Sequence, residues 1–232
     1  MSRSPSMPSP QDIRPEEQAA YDRVVARQMA YDYKAFAETM PHPVPSWSDG
    51  EIQPYFRALL HSPLIADHIS ELGVVYRTRG EAGDSYAHAD REWVDMVVSQ
   101  DLDCPFVQYV HLFDAVAVGV RPEAVRALRA GRLDELTPQE RELTEYIRAV
   151  MGGTVTDDQF RGMEERVGVR GTIELTGFVG HLLMTMRIMQ AVGGSEWPQE
   201  YVDELIEGLI DGTVEVPDSH ARVPSLEESS AG

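Results

Sequence analysis

A chain of 232 residues with 42% hydrophobic and 25% charged side chains lies in the ordinary globular range and is long enough to bury a sizeable core. Its 20 basic against 39 acidic side chains give a formal charge of -19, which repels a phosphate backbone and an anionic lipid surface alike, so neither nucleic acid nor membrane is expected as a partner. A single cysteine, Cys104, excludes an internal disulfide, a Cys-rich zinc site and a two-thiol redox pair within one chain.

No run approaches the roughly 18 uninterrupted apolar residues of a membrane-spanning helix. Met1 to Pro10 is rich in Ser and Pro, with no apolar stretch to act as a signal peptide, so the expected location is cytoplasmic. Residues 1–12 are expected to form a flexible tail, 13–212 a single all-helical domain, and 213–232 a second tail in which Pro, Ser, Glu and Gly replace large apolar groups.

Between the tails the signals are those of helices, and no period-two run with hairpin turns interrupts them, so the expected class is all-α. In chain order, helices are expected over Pro15 to Thr39, Glu51 to Leu60, Pro63 to Arg79, Tyr86 to Ser99, Cys104 to Val118, Pro122 to Ala130, Pro138 to Met151, Asp157 to Val167, Arg170 to Val192 and Pro198 to Ile210. Start signals recur: Ser48 with Glu51, Thr137 with Glu140 and Thr156 with Gln159 fit the reciprocal cap in which each side chain satisfies the other's N–H. Pro63, Pro122 and Pro138 sit at first helical positions, where a missing N–H costs least, and Gly80, Gly152 and Gly193 suit helix ends.

The stretch with chemical content runs from Ala89 to Val120, as helix, short acidic turn, helix. Cys104 and His111 are seven residues apart, one helix face and two turns. Cys104 follows Asp103 and precedes Pro105, so it stands at a helix N-terminus, whose dipole favours a thiolate while Asp103 opposes it. Glu92, one helix earlier, could face His111 across an antiparallel pair, and a carboxylate facing an imidazole is a usable proton relay.

These residues resemble the carboxymuconolactone decarboxylase and alkylhydroperoxidase-D-like family. Arg91-Glu92, then Cys104 twelve positions after Glu92, then Val107, His111 and Gly119-Val120 follow that family's order of a Glu, a C-x-x-C and a His. Pro122 to Val125, Leu136 to Glu142 and the long helix around Gly177 to Gly193 resemble its later elements, so the likeness covers roughly Gln53 to Gly193. Val107 stands where the family has a second thiol or a Glu, and without a second sulfur to resolve a sulfenic acid, disulfide-cycling peroxidase chemistry is not expected.

The resemblance implies an alkylhydroperoxidase-D-like helical bundle, a homo-oligomer (dimer, trimer or hexamer), and a cofactor-independent lyase or isomerase acting on a small oxygenated acid, lactone or specialised-metabolite intermediate. His111 is the candidate proton donor and acceptor, Glu92 its orienting carboxylate, and Cys104 a donor to a developing oxyanion or a wall of the pocket. His181, Arg91 and Tyr109 are candidate substrate contacts; Tyr109, two residues from His111, points to another helix face. Arg77, Arg79 and Arg187 are further cations for an anionic substrate. No metal is expected, since structural zinc takes four Cys or His ligands and catalytic zinc usually three. Two alternatives remain open: a one-cysteine peroxidase-like enzyme whose Cys104 is resolved by an external thiol, and a non-catalytic oligomeric binding protein.

Overall fold

The computed structural model describes residues 5–49, 51–82 and 85–216. Every regular element among them is helical: α1 (Gln18–Met29), α2 (Tyr33–Glu38), α3 (Pro45–Ser48), α4 (Pro54–Leu59), α5 (Pro63–Ala82), α6 (His88–Asp101), α7 (Pro105–Ala117), α8 (Pro122–Arg129), α9 (Pro138–Gly152), α10 (Asp157–Val192) and α11 (Gln199–Asp211), with three short 3-10 turns. The all-α expectation holds. No helix among the described residues is long and apolar enough to cross a membrane. His220, the Arg79 side chain and most of the expected C-terminal tail lie outside the described residues.

The described chain divides into two compact units, one comprising residues 5–75 and 188–194 and the other residues 76–187 and 195–216. In the first, Tyr21, Val24, Leu60 and Ala66 are among the buried apolar groups, and Asp67 receives Arg23 at 2.6 Å and Arg27 at 3.6 Å.

Two expectations for this unit are corrected. The single helix over Pro15 to Thr39 is broken, because the Asp32 side chain accepts from Ala35 N–H at 3.0 Å and starts a new helix there. The Ser48 and Glu51 cap does not form. Ser48 ends α3, Glu51 N–H donates to Ser46 C=O at 2.8 Å and its carboxylate pairs with Arg57 at 2.9 Å, while α4 opens at Pro54.

The second unit holds Glu92, Cys104 and His111. Helix α6 packs against α7, α8 and α9, and α11 packs against α7 and α8. Residues 91–99 of α6 are all buried, so this helix is the centre of the unit rather than one of its walls. Trp93 Nε1 donates to Thr144 Oγ1 at 2.9 Å, tying α6 to α9, and Gln108 Nε2 donates to Met96 C=O at 3.3 Å, tying α7 to α6.

The turn between α6 and α7 is short, as expected. Asp103 adopts φ 50°, a left-handed conformation that Asp tolerates better than most residues. Cys104 N–H then donates back to Ser99 C=O at 2.8 Å, and Pro105 opens α7 at its first position. The chain reverses within a few residues, which brings α7 alongside α6.

The capping box of Thr137 and Glu140 is complete, and Thr156 with Gln159 forms the same reciprocal pair at 3.0 and 3.2 Å. Helix α10 contains one non-helical residue, Gly168 at φ 72° and ψ 170°, so the two expected helices over Asp157 to Val167 and Arg170 to Val192 meet at a sharp glycine kink. Gly80, expected at a helix end, lies inside α5, which continues to Ala82.

Candidate functional site

Helix α6 buries three ionisable side chains on neighbouring turns: Arg91 and Asp95 are 1% exposed and Glu92 is 0% exposed. Asp95 is three residues from Glu92 and four from Arg91, which places it on the helix face next to each of them. An ionised carboxylate in an apolar interior is costly unless paired, and the pairing is present. Arg91 Nη2 donates to Glu92 Oε1 and also meets His88 Nε2 at 2.5 Å, while Arg91 Nη1 is 3.7 Å from Asp95 Oδ2.

Across the helix pair, His111 of α7 places Nδ1 3.5 Å from Glu92 Oε2. His88 Nε2 is 3.5 Å from the other oxygen, Oε1. Ligand atoms of Glu92, Asp95 and His111 all lie within 4.8 Å of one another. The His111 side chain is 20% exposed but its Nδ1 is buried, so the exposure belongs to the rest of the ring. One edge of the imidazole faces carboxylates and another faces outward.

The electrostatics of the cluster follow from this geometry. Burial pushes the Glu92 carboxyl up, but Arg91 and the two imidazoles outweigh it and hold the group well below the ordinary carboxylate range. Burial pushes His111 down, yet Asp95 and Glu92 outweigh it and raise the imidazole above its ordinary 6.5, with Arg77 pulling the other way. Asp95 is raised, mainly by burial, with the neighbouring Glu92 charge adding to it. Arg77 is itself 3.6 Å from Asp114, one turn beyond His111 on α7.

No family model matches the chain, and no curated protein matches it. Among solved structures, 87% of the chain superposes with a TM-score of 0.54 on 94% of a protein from Ralstonia eutropha JMP134 described as an alkylhydroperoxidase AhpD core, an uncharacterized peroxidase-related protein, at 15% sequence identity. The fold is alkylhydroperoxidase-D-like. At that identity the likeness speaks for the fold of this chain.

On this alkylhydroperoxidase-D-like scaffold the residues singled out from sequence separate into groups. Glu92 and His111 come together. Cys104 is not part of the Glu92, Asp95 and His111 group: it is fully buried and occupies the N-cap position of α7 with φ -120° and ψ 67°, with no side-chain cap bond. Burial raises its thiol to about 11, with Asp103 and Glu196 adding to the effect and the Val107 N–H only partly offsetting it. The helix N-terminus alone suggests a lowered thiol; desolvation outweighs it here.

Arg91 is turned inward onto Glu92 and Asp95, so its charge neutralises carboxylates of the chain itself. Tyr109 is fully buried with its ring 5.2 Å from that of Trp197. His181 packs against the rings of Tyr76 at 5.6 Å and Phe178 at 6.5 Å, and burial lowers its imidazole.

Sequence reasoning missed Asp95 and the inward role of Arg91. The available signal was an acid inside the apolar run Trp93-Val94-Asp95-Met96-Val97-Val98, which needs a partner wherever that helix is buried. A surface cleft of about 290 Å³ lined by Arg126, Arg129, Asp203 and Glu207 lies elsewhere in the same unit. Arg126 pairs with Glu207 at 3.1 Å and Arg129 with Asp203 at 2.8 Å, so each guanidinium there already has a carboxylate.

Proposed function

We propose that the protein is a cofactor-independent enzyme that moves protons on a small oxygenated acid, lactone or related metabolite, as a lyase or isomerase of the carboxymuconolactone decarboxylase-like kind. The observation that carries this reading is the 3.5 Å approach of His111 Nδ1 to the fully buried Glu92 carboxylate, with the rest of the ring partly open. Glu92 fixes the ring and stabilises its protonated form, and the outward edge exchanges a proton with substrate. Cleavage of a carboxylate or enolisation beside a carbonyl needs a group of this kind to deliver or remove a proton at carbon.

A second reading, a one-cysteine peroxidase, draws on the description of the structural neighbour as peroxidase-related. The thiol environment weighs against it. With Cys104 at about 11, roughly one molecule in ten thousand carries a thiolate at pH 7, and the thiolate is the nucleophile. We also propose that the working form is a homo-oligomer, since Val169, Ile173 and Met184 of α10 are 56%, 59% and 40% exposed and suit contact with another copy.

Deuterium exchange tests the leading reading. A panel of oxo acids, hydroxy acids and lactones is incubated with the protein in deuterated buffer, and carbon-bound deuterium is followed by NMR. Exchange with at least one substrate class is expected, falling about 10²-fold to 10⁴-fold in His111→Gln. Exchange indifferent to His111→Gln would sink the proposal, and rapid peroxide consumption with loss of the Cys104 thiol would put the second reading in its place.

A further inference from the structure

Glu92 Oε2, Asp95 Oδ2 and His111 Nδ1 are all shut off from solvent, and none of the three has a hydrogen-bond partner. His111 Nδ1 is 3.5 Å from Glu92 Oε2, and one ligand atom from each of the three residues lies within 4.8 Å of those of the other two. Buried polar atoms are normally satisfied, so three that point at one another imply a shared charge that completes the set. The charge count gives its sign. With both carboxylates ionised, Glu92 and Asp95 bring two negative charges and Arg91 one positive, which leaves a buried deficit of one positive charge as long as His111 is neutral.

A divalent cation would also fit between three such atoms, but the Arg91 guanidinium already bonds to Glu92 and stands 3.7 Å from Asp95 Oδ2. A metal placed there would meet that cation at close range. A proton on the imidazole supplies one positive charge without that conflict. The other charged groups around the ring are Arg77 of α5, which stands 3.6 Å from Asp114 of α7, and His88 of α6, which faces Glu92. Arg77 opposes a proton on the ring, and Asp95 and Glu92 outweigh it.

We propose that Asp95 is a positioning residue of the site, a second buried carboxylate that with Glu92 holds the proton-bearing form of His111 through Nδ1, so that the ring meets its substrate as an acid. This rests on the reading of His111 as the proton-transfer group. In the step it serves, the outward N–H bond of His111 breaks, its electron pair stays on the ring, and the proton goes to an oxygen or carbanionic carbon of the substrate. Nδ1–H is retained between the two carboxylates, and a proton from water restores the ring. The substrate class that fits is one needing a proton delivered, such as an enolate left by decarboxylation or a departing lactone oxygen.

Side-chain NMR of the full chain tests this without any substrate. The chain has seven histidines, and a His111→Gln variant identifies the signals of His111. In Asp95→Asn, nearly isosteric with the native residue, the His111 titration midpoint is expected to move down from its wild-type value while the amide fingerprint stays native. A native fingerprint with an unmoved midpoint overturns the assignment. If Asp95→Asn fails to fold, wild type carries the test: the Asp95 side-chain carbonyl carbon is expected to show the inflection of His111, and an Asp95 signal blind to that inflection overturns it. Addition of equimolar Zn²⁺ at neutral pH is expected to leave the His111 signals in place; their stoichiometric loss would assign the three atoms to a metal instead. A protein that turns nothing over would still show the dependence on Asp95, so failure of the catalytic reading and failure of this one are separately visible.

Discussion

His111 Nδ1 stands 3.5 Å from Glu92 Oε2 across the α6 and α7 pair, and the same carboxylate carries Arg91 on its other oxygen. Glu92 is therefore a buried charge with a partner on each side, and its removal has two separable effects. Glu92→Leu leaves Arg91 buried beside one carboxylate fewer, so the expected loss is about 3–5 kcal/mol of stability in urea denaturation. Glu92→Gln keeps the shape but removes the charge, so the expected result is a smaller loss together with a downward move of the His111 titration. A His111 titration indifferent to Glu92→Gln would mean that the contact carries no electrostatic coupling.

The sign of the His111 effect on stability follows from its direction. The imidazole is raised above its ordinary 6.5 in the folded chain, so its protonation favours the folded state. That contribution is fully present below about pH 6.5, the unfolded value, and is lost as pH rises through the folded value. The stability difference between wild type and His111→Gln, measured by denaturant titration at several pH values, is expected to shrink as pH rises above about 6.5. A difference that grows with pH would show that the neutral ring is the form the fold prefers.

The juxtaposition of Glu92 and His111 was legible in the sequence because it depends on local quantities. Two helical runs, a short acidic turn with Pro105 closing it, and a spacing that sets the register are all visible in the residues. The caps at Thr137 and Thr156 are local in the same way. What was not legible depends on desolvation by distant elements. Cys104 at a helix start carries opposite expectations from the dipole and from burial, and only the packed unit decides between them. Asp95 is not among the candidates read from sequence, and Arg91 is expected there to meet substrate; both are buried within α6, whose residues 91–99 are all enclosed by its neighbours. Ser48 and Glu51 match the capping pattern, but Pro54 offers a competing start six residues later and takes it.

Cys104 should behave as an inert core thiol. With its value raised to about 11 by burial and no exposed surface, alkylation by a small haloacetamide is expected to be slow at pH 7–8, to accelerate only in strongly alkaline buffer, and to be the same in His111→Ala. The rate is read by intact-mass spectrometry. A reactive thiol with an apparent value below the unperturbed ~8.5 would reopen the thiol-based mechanism and would show that the residue is reached by solvent.

The kink in α10 makes a purely backbone prediction. Gly168 sits at φ 72° and ψ 170°, a region that essentially only glycine occupies because a Cβ collides with its own flanking peptide groups. A Cβ built there meets no other heavy atom within 4 Å, so crowding by neighbours adds nothing and the cost is torsional. Gly168→Ala is expected to lower stability by about 1–3 kcal/mol. The chain can escape this only by making the residue helical, which would straighten α10; the bond from Thr172 Oγ1 to Gly168 C=O at 2.8 Å spans four residues and is compatible with either conformation. Thermal denaturation reports the size of the loss and the helical signal reports the route. A variant as stable as wild type with unchanged circular dichroism would show that residue 168 does not hold this conformation in solution.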